Sequence, residues 1–173
     1  PKSTAQRGLK TLEELGWVAS DGDAQWRLTT KTFRVGSRYA GLDLRTQVMP
    51  VMREIWERTD ENVHLAVRDG DHVTLIEKLD SRKAVRTFQG LGATAPLLAT
   101  STGKAIVAFL PEDQRERLLA DSQPAYTDTT ITDVAEMRAH LDAIRERGYS
   151  VNRGEWRDDV TAVAAPVLDM NGV

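Results

Sequence analysis

From Ser3 to Leu15 the apolar residues fall at Ala5, Leu9, Leu12 and Leu15, the repeat of one helical face. Ser3 or Thr4 is placed to cap the start of that helix and Gly16 to end it. Trp17-Val18 and Gln25 to Leu28 flank Asp21-Gly22-Asp23 and predict two short strands round a turn. Thr32 to Ala40, with Phe33, Gly36 and Tyr39 along one side, predicts a short linker helix. Val48 to Arg58 (Val48, Met52, Ile55, Trp56) predicts an amphipathic helix with Pro50 near its beginning. His64 to Val67 and Val73 to Ile76 flank Asp69-Gly70-Asp71 and predict a hairpin within Asn62 to Leu79, followed by a strand over Val85 to Phe88. Helices are expected over Gly103 to Leu110 and, after Pro111, over Glu112 to Leu119. Thr127 to Thr132 is a polar loop. Asp133 caps a long helix with apolar side Val134, Met137, Leu141 and Ile144, ending at Gly148. Strands over Tyr149 to Asn152 and Thr161 to Leu168 complete the chain.

The expected class is α+β: a mixed, mostly antiparallel sheet with flanking helices, after a small helical head. A helix followed at once by a two-stranded turn has the sequence shape of a winged helix-turn-helix. Residues 1–30 are read as part of such a head, 31–42 as the linker and 43–173 as the body. A recognition helix calls for helices before it, and Asn171-Gly172 announces a hairpin partner beyond Val173. The chain is therefore expected to be a piece of a longer protein.

Composition narrows this only a little. The 173 residues are 40% hydrophobic and 28% charged, as in ordinary globular domains. No run approaches the ~20 apolar residues that span a bilayer, and the N-terminus does not read as a signal peptide. The absence of cysteine removes disulfides, thiolate nucleophiles and Cys-based zinc sites, and is compatible with a cytosolic setting. The net charge of −3 argues against a nucleic-acid binder until its distribution is read. Residues 1–34 carry six basic and four acidic groups, and the remainder 17 and 22. A mildly basic head on an acidic body suits a small DNA-reading head.

Candidate chemistry lies in three places. On the first helix Ser3, Gln6, Arg7 and Lys10 share the face away from Leu9 and Leu12, a set able to meet phosphate and base edges, or simply a solvated face. Thr100-Ser101-Thr102 opens a helix whose first amides lack internal partners, so it is either a cap alone or a seat for a carboxylate or phosphate. Trp156 offers an aromatic wall or ordinary packing. Other patterns are rejected. Gly103-Lys104 lacks the rest of a P-loop, since Leu98 holds the first glycine position and Ala105 the hydroxyl position. Gly90-x-Gly92-x-x-Ala95 runs into Pro96. His64, His72 and His140 lack metal-ligand spacing, and Asp158-Asp159 reads as solvated loop. Ser101 has no nucleophile frame. Neither cofactor nor catalytic group is expected.

Two stretches carry a family resemblance: PLLATSTGKAIVAFL from Pro96, and GYSVNRGEWRDDVTAVAAPVLDMNG from Gly148. Both resemble the effector-binding domain of the IclR family of bacterial transcription regulators, which is GAF-like. The start of the chain resembles that family's recognition helix, with Pro1, Ser3, Thr4, Arg7, Leu12 and Gly16 on its pattern and Gly8 where a leucine is usual. The resemblance covers nearly the whole chain. It implies operator DNA as one partner, met by Ser3, Thr4, Gln6, Arg7 and Lys10. It implies a small-molecule effector as another, held by Ser101, Thr102, Asn152 and Ala162 with Trp156 nearby, and a further pair of hydroxyl residues on a last strand. It also implies a homodimer that pairs into a tetramer, with no membrane role. Members that bind very small keto or aldehyde acids tend to have an acidic residue at the position of Asn152 and a cysteine at that of Ala162. Losing both shifts the expectation to a larger or more aromatic carboxylate. A binding or catalytic α+β domain without DNA is the alternative; the lack of any paired nucleophile and base weighs against the enzyme.

Overall fold

Helix α1 spans Lys2–Glu14 in the computed structural model, which describes residues 2–22, 25–36, 41–83, 90–120 and 123–168. The helix is already under way at Lys2, so Ser3 and Thr4 are first-turn residues rather than caps. Its end is as the sequence predicts. Gly16 takes a φ of 74°, its N–H donates to Glu13 O at 2.8 Å, and the N–H of Trp17 reaches Leu12 O at 2.8 Å. Those paired bonds satisfy the last carbonyls of the helix, and a glycine takes the left-handed φ without steric cost. The chain then enters β1 (Val18–Ser20) and β2 (Trp26–Leu28), an antiparallel pair with Ala19 opposite Arg27.

Helix α2 covers Thr30–Gly36, two residues earlier than the linker predicted from Thr32. Thr29 is the reason: its hydroxyl accepts from the N–H of Lys31 at 3.2 Å and caps the first turn. Phe33 remains 75% exposed, while Tyr39 and Ala40 lie outside the described residues. Helix α3 runs over Gly41–Thr59, starting seven residues before the predicted Val48, so Pro50 sits inside it rather than in its first turn. Good helix formers (Leu44, Arg45, Gln47), with Asp43 in the first turn, carry the helix past a proline that has no N–H to give to the turn before.

The chain divides into two units, Pro1–Met49 and Pro50–Val173. In the second, β3 (Val63–Asp69) and β4 (His72–Leu79) form the predicted hairpin, with Gly70 at φ 63° in the turn and a bulge between Leu65 and Ala66. A strand that sequence reading missed, β5 (Thr94–Pro96), pairs antiparallel with β4. Helices α4 (Ser101–Phe109), α5 (Glu112–Leu119) and α6 (Val134–Arg147) follow. Asp133 caps α6 through a 2.8 Å bond from the N–H of Glu136, and Gly148 ends it at φ 83°. Strand β6 (Ser150–Arg153) pairs antiparallel with β7 (Thr161–Ala164), which places Asn152 opposite Ala162. The last strand therefore stops short of the predicted Leu168; Pro166 has no N–H for a ladder. Every strand pairing among the described residues is antiparallel, in three separate sheets rather than one mixed sheet. The predicted strand at Val85 to Phe88 and the Asn171-Gly172 turn lie outside the described residues.

The core of this unit forms where α4 and α6 meet the hairpin. Val107, Ala108, Met137, Leu141 and Ile144 are buried together with Leu97 and Leu98. Helix α4 comes so close to the segment before it that a Cβ at Gly103 would lie 1.8 Å from the carbonyl oxygen of Leu97. Glycine is required there by contact, since its φ is unexceptional.

Candidate functional site

A cavity of about 620 Å³ opens within the second unit. One wall is the hairpin with β5 (Ala66, Val73, Leu75, Ala95), a second is the start of α4, and a third is β6–β7 with the loop between them. Thr100, Ser101, Thr102, Asn152, Trp156 and Ala162 all line it. All five effector-site residues expected from sequence thus meet at one cavity, although Ser101 and Asn152 are 51 positions apart.

The α4 end of the cavity is polar. Thr100 caps the helix: its hydroxyl accepts from the N–H of Gly103 at 3.1 Å and donates to Pro96 O at 2.9 Å. Helix geometry leaves the N–H groups of Ser101 and Thr102 without intrahelical acceptors, at the end where the helix dipole favours negative charge. Capping and an anion seat are therefore compatible, because the cap uses the amide of Gly103 only.

Asn152 is buried, and its amide is engaged at both ends. Nδ2 donates to Ala99 O at 2.7 Å, and Oδ1 accepts from the N–H of Glu155 at 3.2 Å. The side chain is a strut between the lead-in to α4 and the β6–β7 loop, with one further donor hydrogen and acceptor lone pair to spare. Trp156 is half-buried, and the Arg157 guanidinium lies 4.6 Å from its ring centroid, so a cation stands at the loop side of the cavity.

His64, set aside in the sequence for lack of metal-ligand spacing, is a further cavity residue. It lines the cavity from β3, and its buried Nε2 has no hydrogen-bond partner among the described residues. Burial, opposed by Asp80 and aided by Lys78, holds its pKa below the usual histidine value, so the ring is neutral at pH 7. A lone histidine in a strand carries no local signal of this. Only the bulge and the pairing with β4 set which way the strand faces.

In the first unit, Ser3, Thr4, Gln6, Arg7 and Lys10 are all exposed on α1, while Leu9 turns inward. Positions 3, 6, 7 and 10 fall on one helical face. Among the described residues no group of three His, Asp or Glu side chains is gathered as a metal site, and no helix is long and apolar enough to cross a membrane.

A small antiparallel α+β domain with a ligand-sized cavity, preceded in the chain by a helix and a two-stranded hairpin, is the architecture these parts define. The chain belongs to the IclR family: residues 37–173 match the family described as bacterial transcriptional regulator IclR C-terminal. It is 34% identical to the HTH-type transcriptional regulator KdgR of Escherichia coli over 99% of this chain and 66% of that protein. It is 30% identical to KipR of Bacillus subtilis over 98% of this chain and 68% of that protein. The chain thus spans about two thirds of the length of these curated relatives. Among solved structures, an IclR homologue from Microbacterium hydrocarbonoxydans, complexed with 4-hydroxybenzoate, superposes with a TM-score of 0.85 at 26% identity, covering 98% of this chain and 71% of that one. The Thermotoga maritima IclR does so at 0.76 and 30% identity, covering 98% and 70%.

Proposed function

We propose that this chain is the larger part of a transcriptional regulator whose hold on operator DNA is set by a small carboxylate bound in the cavity of the second unit. The exposed face of α1 meets DNA, with Arg7 and Gln6 reading base edges and Ser3, Thr4 and Lys10 meeting phosphate. Residues 1–30 act as the DNA-reading part, 31–42 as linker and 43–173 as effector domain. The protein is not an enzyme. It works as a homodimer that pairs into a tetramer, since paired half-sites need paired heads and exposed Phe33 gives the linker an apolar side to bury. Light scattering on the intact regulator checks this; a monomer contradicts it.

The observation that carries the reading is the cavity itself. Its size is that of drug-like ligand sites, its walls are largely apolar, and Thr100, Ser101 and Thr102 at the start of α4 give it one polar end. A two- or three-carbon acid would leave most of it empty. A ring-bearing carboxylate fits it better, with the acid group at Ser101 and Thr102 and the ring against Ala162 and Trp156. The bound 4-hydroxybenzoate of the Microbacterium homologue has this chemistry. Calorimetric titration of 4-hydroxybenzoate, benzoate, pyruvate and glyoxylate, with thermal melting alongside, tests it. A ring acid at ~100 times its Kd stabilises the fold by about 2.7 kcal/mol. A panel in which only the smallest acids bind refutes the size argument.

A further inference from the structure

Behind the cavity, out of reach of any ligand in it, lies a buried charge pair. Lys104 of α4 has no exposed surface, and its Nζ donates to Glu155 Oε1 at 2.5 Å. His140 of α6 stands 3.3 Å from the same ammonium through Nε2. The other carboxylate oxygen, Glu155 Oε2, is buried with no partner among the described residues. A well-packed apolar pair is often as stable as a buried ion pair or more so, which leaves the geometry it fixes as the feature to explain.

That geometry is specific. Glu155 sits in the β6–β7 loop, directly before Trp156 and Arg157, both cavity residues. Lys104 follows Ser101 and Thr102 in the first turn of α4, and those two residues stand at the opposite, polar end of the cavity. The outer side of the loop is held by the 127–130 segment. Thr129 Oγ1 donates to Arg153 O at 3.2 Å, Thr127 Oγ1 to Gly154 O at 2.7 Å and Thr130 Oγ1 to Glu155 O at 2.6 Å. The inner side is held by Asn152 and by the Lys104–Glu155 pair. The loop's carbonyls are thus fixed from outside, and two hydrogen-bonded links tie its inner side towards α4: Asn152 to the lead-in at Ala99, and the Lys104–Glu155 pair to the helix itself.

We infer that Lys104 and Glu155 are positioning residues for the cavity: their ion pair locks the Trp156–Arg157 wall to helix α4, so the site is pre-formed before a ligand enters. The consequence for ligands rests on the effector reading given above; the lock itself does not. Removing one partner strands the other as a buried charge, and the loop opens to water. Besides Glu155, the charged or titratable groups acting on Lys104 are His140 and Arg147, both of α6. His140, with a pKa lowered to about 4 by burial and then by Lys104 and Arg147, stays neutral in the native protein from pH 6 upward.

Hydrogen exchange on the ligand-free chain at pH 7, read as protection factors for residues 154–160, tests the lock. In Lys104→Met the unpaired carboxylate opens the loop, lowering protection more than about tenfold. In Glu155→Gln the unpaired ammonium opens it likewise. Native protection in either folded variant overturns the inference. If either single variant does not fold, Lys104→Met/Glu155→Gln decides, since it buries no charge. It should melt near the native temperature and still have a less protected loop; native protection there overturns the lock. Benzoate titration supplies the functional arm, with Kd rising about tenfold in Lys104→Met. A native chain that binds no carboxylate while the exchange pattern holds refutes the effector reading and leaves the lock standing.

Discussion

Replacing Ala162 with Leu places three more carbons on the wall of the cavity opposite Asn152. Ala162 is half-buried on β7 and lines about 620 Å³ of open space. The added carbons gain burial worth ~2.4 kcal/mol at 0.8 kcal/mol each, against an overpacking cost of ~1–3 kcal/mol. The two nearly cancel, so the variant should melt close to the native protein. The ligand has no such compensation. A ring lying against Ala162 must give up the same contact, and ~2.4 kcal/mol at 1.4 kcal/mol per tenfold is a loss of roughly 50-fold in affinity. Calorimetry with the tightest-binding carboxylate of the panel measures it, and operator binding without ligand should be unchanged. Ala139→Leu is the control, because Ala139 is exposed on α6 and the same side-chain change there meets no cavity. Native affinity in a folded Ala162→Leu variant would show that the ligand body does not occupy this part of the cavity.

In the intact regulator, Arg7→Ala should weaken operator binding by ~1–3 kcal/mol in an anisotropy titration while leaving the effector Kd and the melting temperature alone, since Arg7 is an exposed residue of α1. Gly103→Ala should destabilise the second unit by about 3 kcal/mol or more in a denaturant titration, because its Cβ meets backbone at 1.8 Å. Gly8→Ala, with nothing within 4 Å, should instead strengthen α1 by up to ~1 kcal/mol. Stability should also fall on acidification through His140. Its folded pKa of about 4 lies below the ordinary histidine value of 6.5, so no penalty exists above pH 6.5 and one grows as the pH drops toward 4. The slope is at most ~1.4 kcal/mol per pH unit, less for a half-buried ring, and His140→Gln should flatten it in pH-dependent unfolding; an unaltered slope assigns the effect elsewhere.

Elements with local punctuation were legible. Asp133 and Gly148 bracket α6, Gly16 closes α1, and Gly70 turns the β3–β4 hairpin, each by chemistry confined to a few residues. What failed was set by distance. Helix α3 begins at Gly41 because its helix formers outweigh a proline that, read locally, belongs in a first turn. Strand β5 is three residues ending in Pro96, and exists because β4 offers it a ladder. The cavity residues divide the same way. The polar start of α4 was visible in its hydroxyl run, whereas the inward turn of His64 depends on strand pairing.

Lys104 shows how far such a signal can hide. In sequence it is a lysine after a glycine, the remnant of a motif whose other positions are wrong. In the structure it is fully buried, because the glycine before it lets α4 approach the Leu97 carbonyl and because Glu155, 51 residues later, meets its ammonium. Neither condition can be met without the other elements in place. A polar residue at an inward helix position is costly alone and tolerable only as half of a pair, so its partner must be sought wherever the fold delivers the opposite charge. That partner lies beside the two loop residues, Trp156 and Arg157, that face the cavity. Packing of the core and shaping of the ligand wall therefore converge on one hydrogen bond between two elements that sequence distance keeps apart.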